Sequence, residues 1–310
     1  MNNSYIAVVG GANVDIQGFP YKNFIPRDSN PGNIKISLGG VGRNIGENLV
    51  KLGVYVKLIS VIGDDIYGCK ILGEAKNIGL DMKDSLILEG EATSTYLSIL
   101  DEYKDMAAAV SSMEIYEKMT VDFIKEKRQV IDNSKICIID TNIPREVIEY
   151  IVTTHKETDF FLDTVSTTKA KKIKDLIGYF HTIKPNRIEA QMLTGIEITN
   201  DNDLKKASEY FLERGVKRVF ISLGDNGVFY NDGENINHIK TTKIKVTNAT
   251  GAGDAFIAAL AYGHYYNIGI EESTKMAIAA SILTLSHEDT INPSMSIERV
   301  KSKMEEIELC

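Results

Sequence analysis

Short runs of apolar, largely β-branched residues alternate along most of the chain with segments whose apolar residues recur every three or four positions. Tyr5–Val9, Tyr55–Val61, Ile136–Ile139, Phe160–Leu162, Thr182–Lys184 and Arg218–Ser222 read as strands buried on both faces. Arg43–Leu52, Tyr67–Ile78, Arg145–His155, Lys169–Ile177 and Leu204–Arg214 have helical spacing and fall between them. This alternation predicts a mainly parallel sheet with helices on both sides. Two stretches break it. Ile16–Leu38 holds Pro20, Pro26, Pro31 and Gly32 and ends in the alternating run Asn33–Leu38. Ser85–Val110 reads as strands Thr95–Leu100 and Met106–Val110 around a polar turn at Asp101–Asp105. Neither contains a long helix, so both are expected to leave the core and form a small β lid, from about residues 16–38 and 85–113. Further on, Val228–Tyr230 and Ile236–Lys240 flank the hairpin turn Asn231–Asp232–Gly233. Helices are expected over Gly253–Asn267, Ile270–Ser286 and Ile297–Glu306, and the helically spaced Tyr116, Met119 and Phe123 are expected in the core.

A length of 310 residues suits one α/β domain, 1–310, carrying that lid. Hydrophobic residues at 43% and charged residues at 25% are those of an ordinary folded protein. The formal net charge of −8 excludes a general attraction to nucleic acid or to an anionic membrane. A bound anionic nucleotide would need a local nest of amides and a metal ion. Cys69, Cys137 and Cys310 are scattered, which predicts free thiols in a reducing compartment. The run Tyr5–Val9 lacks a basic leader and is too short to span a bilayer, so a cytoplasmic location is expected. The histidines show no mutual spacing that suits zinc, and His181 reads as structural.

The most informative segment is Asn248-Ala-Thr-Gly-Ala-Gly-Asp254, directly before an apolar helical run. Small residues at a helix start leave its first N–H groups uncovered, at the positive end of the helix dipole. Thr250, Gly251, Ala252 and Gly253 thus frame an anion hole fit for a transferring phosphoryl group. Asp254, in the first turn beside it, is placed to take a proton from an attacking hydroxyl. A second glycine segment, Leu38-Gly-Gly-Val-Gly-Arg-Asn44-Ile-Gly46, also leads from a strand into a helix. Its Gly40 and Gly42 permit close approach to the backbone, and Asn44 offers donor and acceptor to a hydroxylated substrate. Gly40, Gly42 and Gly46 are spaced one residue too widely for a dinucleotide fingerprint, and no Gly-Lys-Ser or Gly-Lys-Thr is present.

Together these segments resemble the ribokinase-like, or PfkB, family of carbohydrate kinases. Gly39–Gly63 looks like the family's first signature and Asn248–Ala261 like its second. Lys184-Pro-Asn186-Arg-Ile-Glu189 is similar to the motif that organises Mg²⁺ through water. Ser222-Leu-Gly224-Asp-Asn-Gly227 is similar to the loop that contacts the ATP phosphates, and Asn13 and Asp15 match positions that bind sugar hydroxyls. The resemblance implies a three-layer αβα sandwich, ATP and Mg²⁺ as cofactors, a small-molecule acceptor, Asp254 as base, and a homodimer paired through the lid.

Gly11–Gly18, Gly40–Gly46, Asp163–Ser166 and His181–Asn186 further resemble the branch that phosphorylates the 5′-hydroxyl of pseudouridine. The chain departs from the family in three places. Asn248-Ala249 stands for Asp-Thr, which leaves activation by a monovalent cation open. Gly46 stands for a small side chain, and Ser111-Ser112-Met113 follows the lid strand where that branch has Asn-Asp-Met. Arg43 and Asp163 remain open between site and structural roles. The rival readings are a kinase for ribose, fructose or another nucleoside, and a non-catalytic sugar or nucleoside sensor.

Overall fold

The computed structural model describes residues 4–101, 103, 105–241 and 246–308. Glu102 and Lys104 of the expected lid turn, and Cys310, lie outside the described residues. The chain opens with β1 (Ile6–Val9), wholly buried, followed by β2 (Asn13–Pro20), β3 (Gly32–Gly39) and α1 (Val41–Lys51). Then come β4 (Val56–Ile59), β5 (Val61–Gly63), α2 (Ile66–Ile78), β6 (Leu86–Leu88), β7 (Thr95–Leu100) and β8 (Met106–Ser112). The middle third holds α3 (Val121–Glu126), α4 (Arg128–Asp132), β9 (Ile136–Asp140), α5 (Arg145–Thr154), β10 (Asp159–Asp163) and α6 (Thr167–Lys171). After β11 (Thr182–Ile183) run α7 (Arg187–Thr194), α8 (Asp201–Leu212) and β12 (Arg218–Ser222). The chain closes with β13 (Val228–Asn231), β14 (Ile236–Ile239), α9 (Ala252–Tyr265), α10 (Ile270–Leu285) and α11 (Ile297–Glu308).

An eight-stranded sheet runs in the order β14-β13-β12-β11-β10-β9-β1-β4. It is parallel from β4 to β12 and antiparallel only in its last two pairings, β12 with β13 and β13 with β14. Successive strand residues point to opposite faces, so β1 places Ile6 and Val8 in one core and Ala7 and Val9 in the other. The first core is closed by α1, α2, α9, α10 and α11, the second by α3 to α8. This is the expected αβα sandwich.

The second sheet, β3-β2-β7-β8, stands apart as the two interrupting stretches predict. It starts earlier than expected, because β2 continues almost directly from β1 and Val14 N donates to Ser94 O. Its two faces differ. Asp15, Gln17, Ser37 and Tyr96 share one face and line a cleft. On the other, Ile36, Ile16, Leu97 and Val110 stand in register across all four strands. Three of that row are open to solvent: Ile36 at 43%, Leu97 at 41% and Val110 at 64%.

Three expectations change. Tyr55–Val61 is not one strand, because at Ser60 the chain leaves the main sheet. Ser60 N donates to Ser85 Oγ and Leu86 N donates to Ser60 O, so β5 pairs with β6 alone. β6 therefore belongs to that ribbon and not to the lid. The expected helix Lys169–Ile177 is only α6, followed by a 3₁₀ turn over Lys174–Tyr179. Four lysines between Lys169 and Lys174 repel along so short a helix. Gly178 then packs against the Arg214 carbonyl, where a Cβ would overlap it. Tyr116 and Met119 are core residues as expected, with Phe123 packed against that core.

Candidate active site

In an open α/β sheet, ligands gather at the carboxyl ends of strands where the chain order reverses. Here that point lies at β1, flanked by β4 and β9. Asp140 ends β9 and is fully buried, accepting from Gly11 N at 2.8 Å and Asn142 N at 2.7 Å. Gly10 lies over this carboxylate and Gly42 lies on Gly10, each so close that a Cβ would collide. That stacking is why glycines are needed here, and it seats the start of α1 over the end of β1. Arg43 N donates to Gly11 O at 3.0 Å, and Asn44 then projects inward. Its Nδ2 donates to Asp254 Oδ2 at 2.8 Å, joining residues 210 positions apart.

Asp254 sits in the first turn of α9. Gly251 before it has φ 86°, and a Cβ there would overlap the Thr290 carbonyl oxygen. No side chain caps this helix, and its ladder begins with Ala255 N donating to Gly251 O. The amides of Ala252, Gly253 and Asp254 are thus the orphan donors of the helix start. Asp254 is 8% exposed, and its carboxyl is held well above the ordinary carboxylate range. Burial is the largest cause, followed by the Asp163 carboxylate; the Asn44 amide and Lys184 ammonium oppose it, and Asp140 adds to it. Lys184, buried just past β11, places Nζ 3.6 Å from Asp163 Oδ2. A Cβ on Gly253 would stand 3.2 Å from that ammonium nitrogen, so Gly253 keeps the space in front of it clear.

Two hollows lie on either side of the stretch that leads into Asp254. One is a cavity of about 340 Å³ with apolar walls from Val228, Phe256, Ile278, Ile282 and Leu285; Ser222, Gly224 and Gly227 line its polar end. The other is a cleft of about 550 Å³ under the small sheet, reached by Asp15, Gln17, Tyr96 and Arg43. The stretch 248–253 separates them, with Ala249, Ala252 and Gly253 facing the cavity and Asn248 and Thr250 facing the cleft. In the cleft, burial raises the Asp15 carboxyl, against the pull of Asn13 Nδ2 at 2.7 Å and of Arg43. Arg43 is 3% exposed and is held by Glu47 at 2.6 Å.

Of the residues expected in the site, Asn44 and Asp254 meet directly and Asn13 bonds Asp15 in the cleft, while others take different places. Ser222, Gly224 and Gly227 line the cavity as expected, whereas Thr250 faces the cleft. Gly40 and Gly42 pack against the backbone of residues 10–12. Asn186 and Glu189 form a capping box at the start of α7, and Glu189 Oε2 also accepts from Thr164 Oγ1 at 2.6 Å. Asn248 accepts from Thr250 N and donates to Glu288 O. Lys184 and Asp140 carry no chemical role on sequence grounds; a lone charge closing an apolar strand is the signal that could have found them. The histidine spacing also misleads, since His181 and His264 meet beside Asp159 at the opposite ends of the strands. Burial holds His181 down to about 4, so it is neutral at physiological pH.

Comparison with known proteins shows what the chain is similar to. The pattern described as pfkB family carbohydrate kinase matches residues 3–297. The chain belongs to that family. It is 37% identical to pseudouridine kinase of Escherichia coli, over 98% of this chain and 97% of that protein. It is 26% identical to guanosine-inosine kinase of Exiguobacterium acetylicum, over 94% of this chain and 97% of that one. A crystal structure described as a sugar kinase of Clostridium perfringens superposes with a TM-score of 0.91 at 45% identity, covering 99% and 97% of the two chains. This member of the family is an ATP-dependent phosphotransferase acting on a small sugar or nucleoside. No helix among the described residues is long and apolar enough to cross a membrane.

Proposed function

We propose that the chain phosphorylates the 5′-hydroxyl of pseudouridine, with Asp254 as general base. The observation that carries the chemistry is the buried Asp254, tied to Asn44 at 2.8 Å, directly after the stretch that divides the apolar cavity from the polar cleft. The acceptor is supported by the E. coli relative, similar over almost its whole length, and by the segments Gly11–Gly18 and Gly40–Gly46 that bound the cleft.

In this reading the adenine lies against Phe256, Ile278 and Leu285, with the phosphates leading past Gly224 and Gly227 to the mouth of α9. Asn13, Asp15 and Asn44 hold the acceptor's hydroxyls, and Arg43 borders it. Asp254 accepts the proton of the attacking hydroxyl as its oxygen bonds the γ-phosphorus and the bond to the β-phosphate oxygen breaks, leaving ADP. The amides of Ala252, Gly253 and Asp254 and the Lys184 ammonium oppose charge on the transferring group. Asp163 and Asp254 both lie beside the Lys184 ammonium and Asp140 adds its charge to Asp254, a cluster of buried carboxylates that suits Mg²⁺. Asn186 and Glu189 would hold it through water, and when bound it neutralises ATP oxygens. Asn248, fixed in its turn by Glu288, would remove one anionic ligand from any monovalent cation site. The small sheet acts as a lid whose polar face covers the acceptor, and its open apolar row joins two copies into a homodimer.

The test is ATP consumption with Mg²⁺ against pseudouridine, uridine, inosine, guanosine, ribose and fructose. A kcat/KM highest for pseudouridine is expected. A higher value for any other acceptor overturns the substrate and keeps the phosphotransferase.

A further inference from the structure

We propose that Asp159, His181 and His264 form a second metal site, for a transition-metal ion of the zinc class, at the end of the molecule away from phosphoryl transfer. Their ligand atoms all lie within 4.8 Å of one another. Two imidazoles and one carboxylate form a donor set that suits Zn²⁺, Co²⁺ or Ni²⁺, whereas Mg²⁺ prefers oxygen alone. A tetrahedral ion with ligands at about 2.0–2.1 Å needs them roughly 3.4 Å apart, so the widest pair must draw in by up to about 1.4 Å while the closest pair opens slightly. His264 Nε2 and Asp159 Oδ2 are already 2.8 Å apart. The His181 ring is held in position from two sides. It stacks on Phe161 at 4° between planes, and Thr182 Oγ1 lies 2.9 Å from its Nδ1. Asp159 and His181 also line a cavity of about 310 Å³, which gives an ion entry and leaves positions for water.

One contact must change. Arg218 Nη1 lies 3.3 Å from His264 Nδ1, so in the metal-free state Nδ1 accepts and Nε2–H points at Asp159. An ion on Nε2 takes the place of that proton, which moves to Nδ1, and the half-buried guanidinium turns away; no proton is lost overall.

The placement of the three ligands suggests what the ion does. Asp159 starts β10, which Asp163 ends; His181 precedes β11, which Lys184 follows; His264 lies near the end of α9, which carries Asp254 in its first turn. Each of the three elements holding these buried charges of the active site thus carries one ligand at its other end. The separation is about 13 Å along β10 at ~3.3 Å per residue and about 15 Å along α9 at ~1.5 Å per residue. A bound ion would tie together the feet of the elements whose tips do the chemistry. This inference does not depend on which acceptor is used.

The experiment is a Co²⁺ titration of untagged, nucleotide-free protein, read by the visible absorption of four- or five-coordinate cobalt, then displaced by Zn²⁺ and challenged with excess Mg²⁺. One saturable equivalent is expected, displaced by Zn²⁺ but not Mg²⁺, and weakened at least ~10–100-fold in H181N, H264N and D159N. Zn²⁺ should raise the melting temperature of the wild type and not of these variants, whose own melts show whether they fold. Absence of a cobalt band near 100 µM metal, or unchanged affinity in the folded variants, overturns the site. So does a loss of the band in E189Q alone, which would place the ion at the phosphoryl end.

Discussion

In the proposed reading Asp254 is the base, and the burial that fits it for that role also makes it a source of instability. Its carboxyl titrates above the ordinary range because charging it beside Asp163 in a dry pocket is costly. A raised folded-state pKa favours the fold fully below the unfolded value, and that advantage is lost as pH rises through the folded value. D254N should therefore melt higher than wild type at pH 8, and the gap should close toward acid pH. Asn44 Nδ2 still finds an amide oxygen in this variant, so kcat should fall about 10²–10⁴-fold with nucleotide binding retained. A thermal melt across pH and a single-turnover assay read these two outcomes. Lys184 works in the opposite sense by favouring the charged form of Asp254. K184M should move the acid limb of the kcat/KM profile to higher pH as well as lowering its plateau; an unmoved limb would separate Lys184 from the base. At this scale the sequence is legible where a residue sits in a glycine pattern, as Asp254 and Asn44 do. It is opaque for Lys184 and Asp140, whose meaning comes only from the strands beside them.

The glycine segments set the elements in place by leaving room for backbone against backbone. G251A combines a left-handed φ with overlap of the Thr290 carbonyl, so it should cost more than the ~1 kcal/mol typical of a helical glycine change and should lower kcat by moving the mouth of α9. Denaturant melts and turnover measure the two effects. N186A breaks the capping box of α7 and should cost about 1 kcal/mol, with Glu189 losing its register beside Thr164. The strand and helix pattern is readable because most elements bury one regular face. It fails at Tyr55–Val61, where apolar residues resume directly after Ser60 while the bond of Ser60 N to Ser85 turns the chain into another sheet. It fails again at Lys169–Ile177, where apolar spacing persists but charge repulsion and the contact of Gly178 end the helix.

Over the whole molecule, the small sheet divides its labour by face. If its outer row joins two copies, L97E should convert a dimer to a monomer, because Leu97 lies between Ile16 and Val110 in the register. Sedimentation equilibrium at micromolar protein decides this, and a monomeric wild type would remove the dimer. The lid is visible in the sequence as missing helices and misplaced prolines. The meeting of Asp159, His181 and His264 is not, since only the assembled sheet and α9 bring positions so far apart in the chain together.

The thin partition at 248–253 has a consequence for ligand design. Cavity and cleft lie on either side of one stretch of backbone just before α9. In the proposed reading, a single molecule joining adenosine to the acceptor's reactive oxygen through a chain of phosphates would occupy both sides of that partition. It would lose its translational freedom once where two ligands lose it twice, and the best chain length would measure how far the phosphoryl group travels.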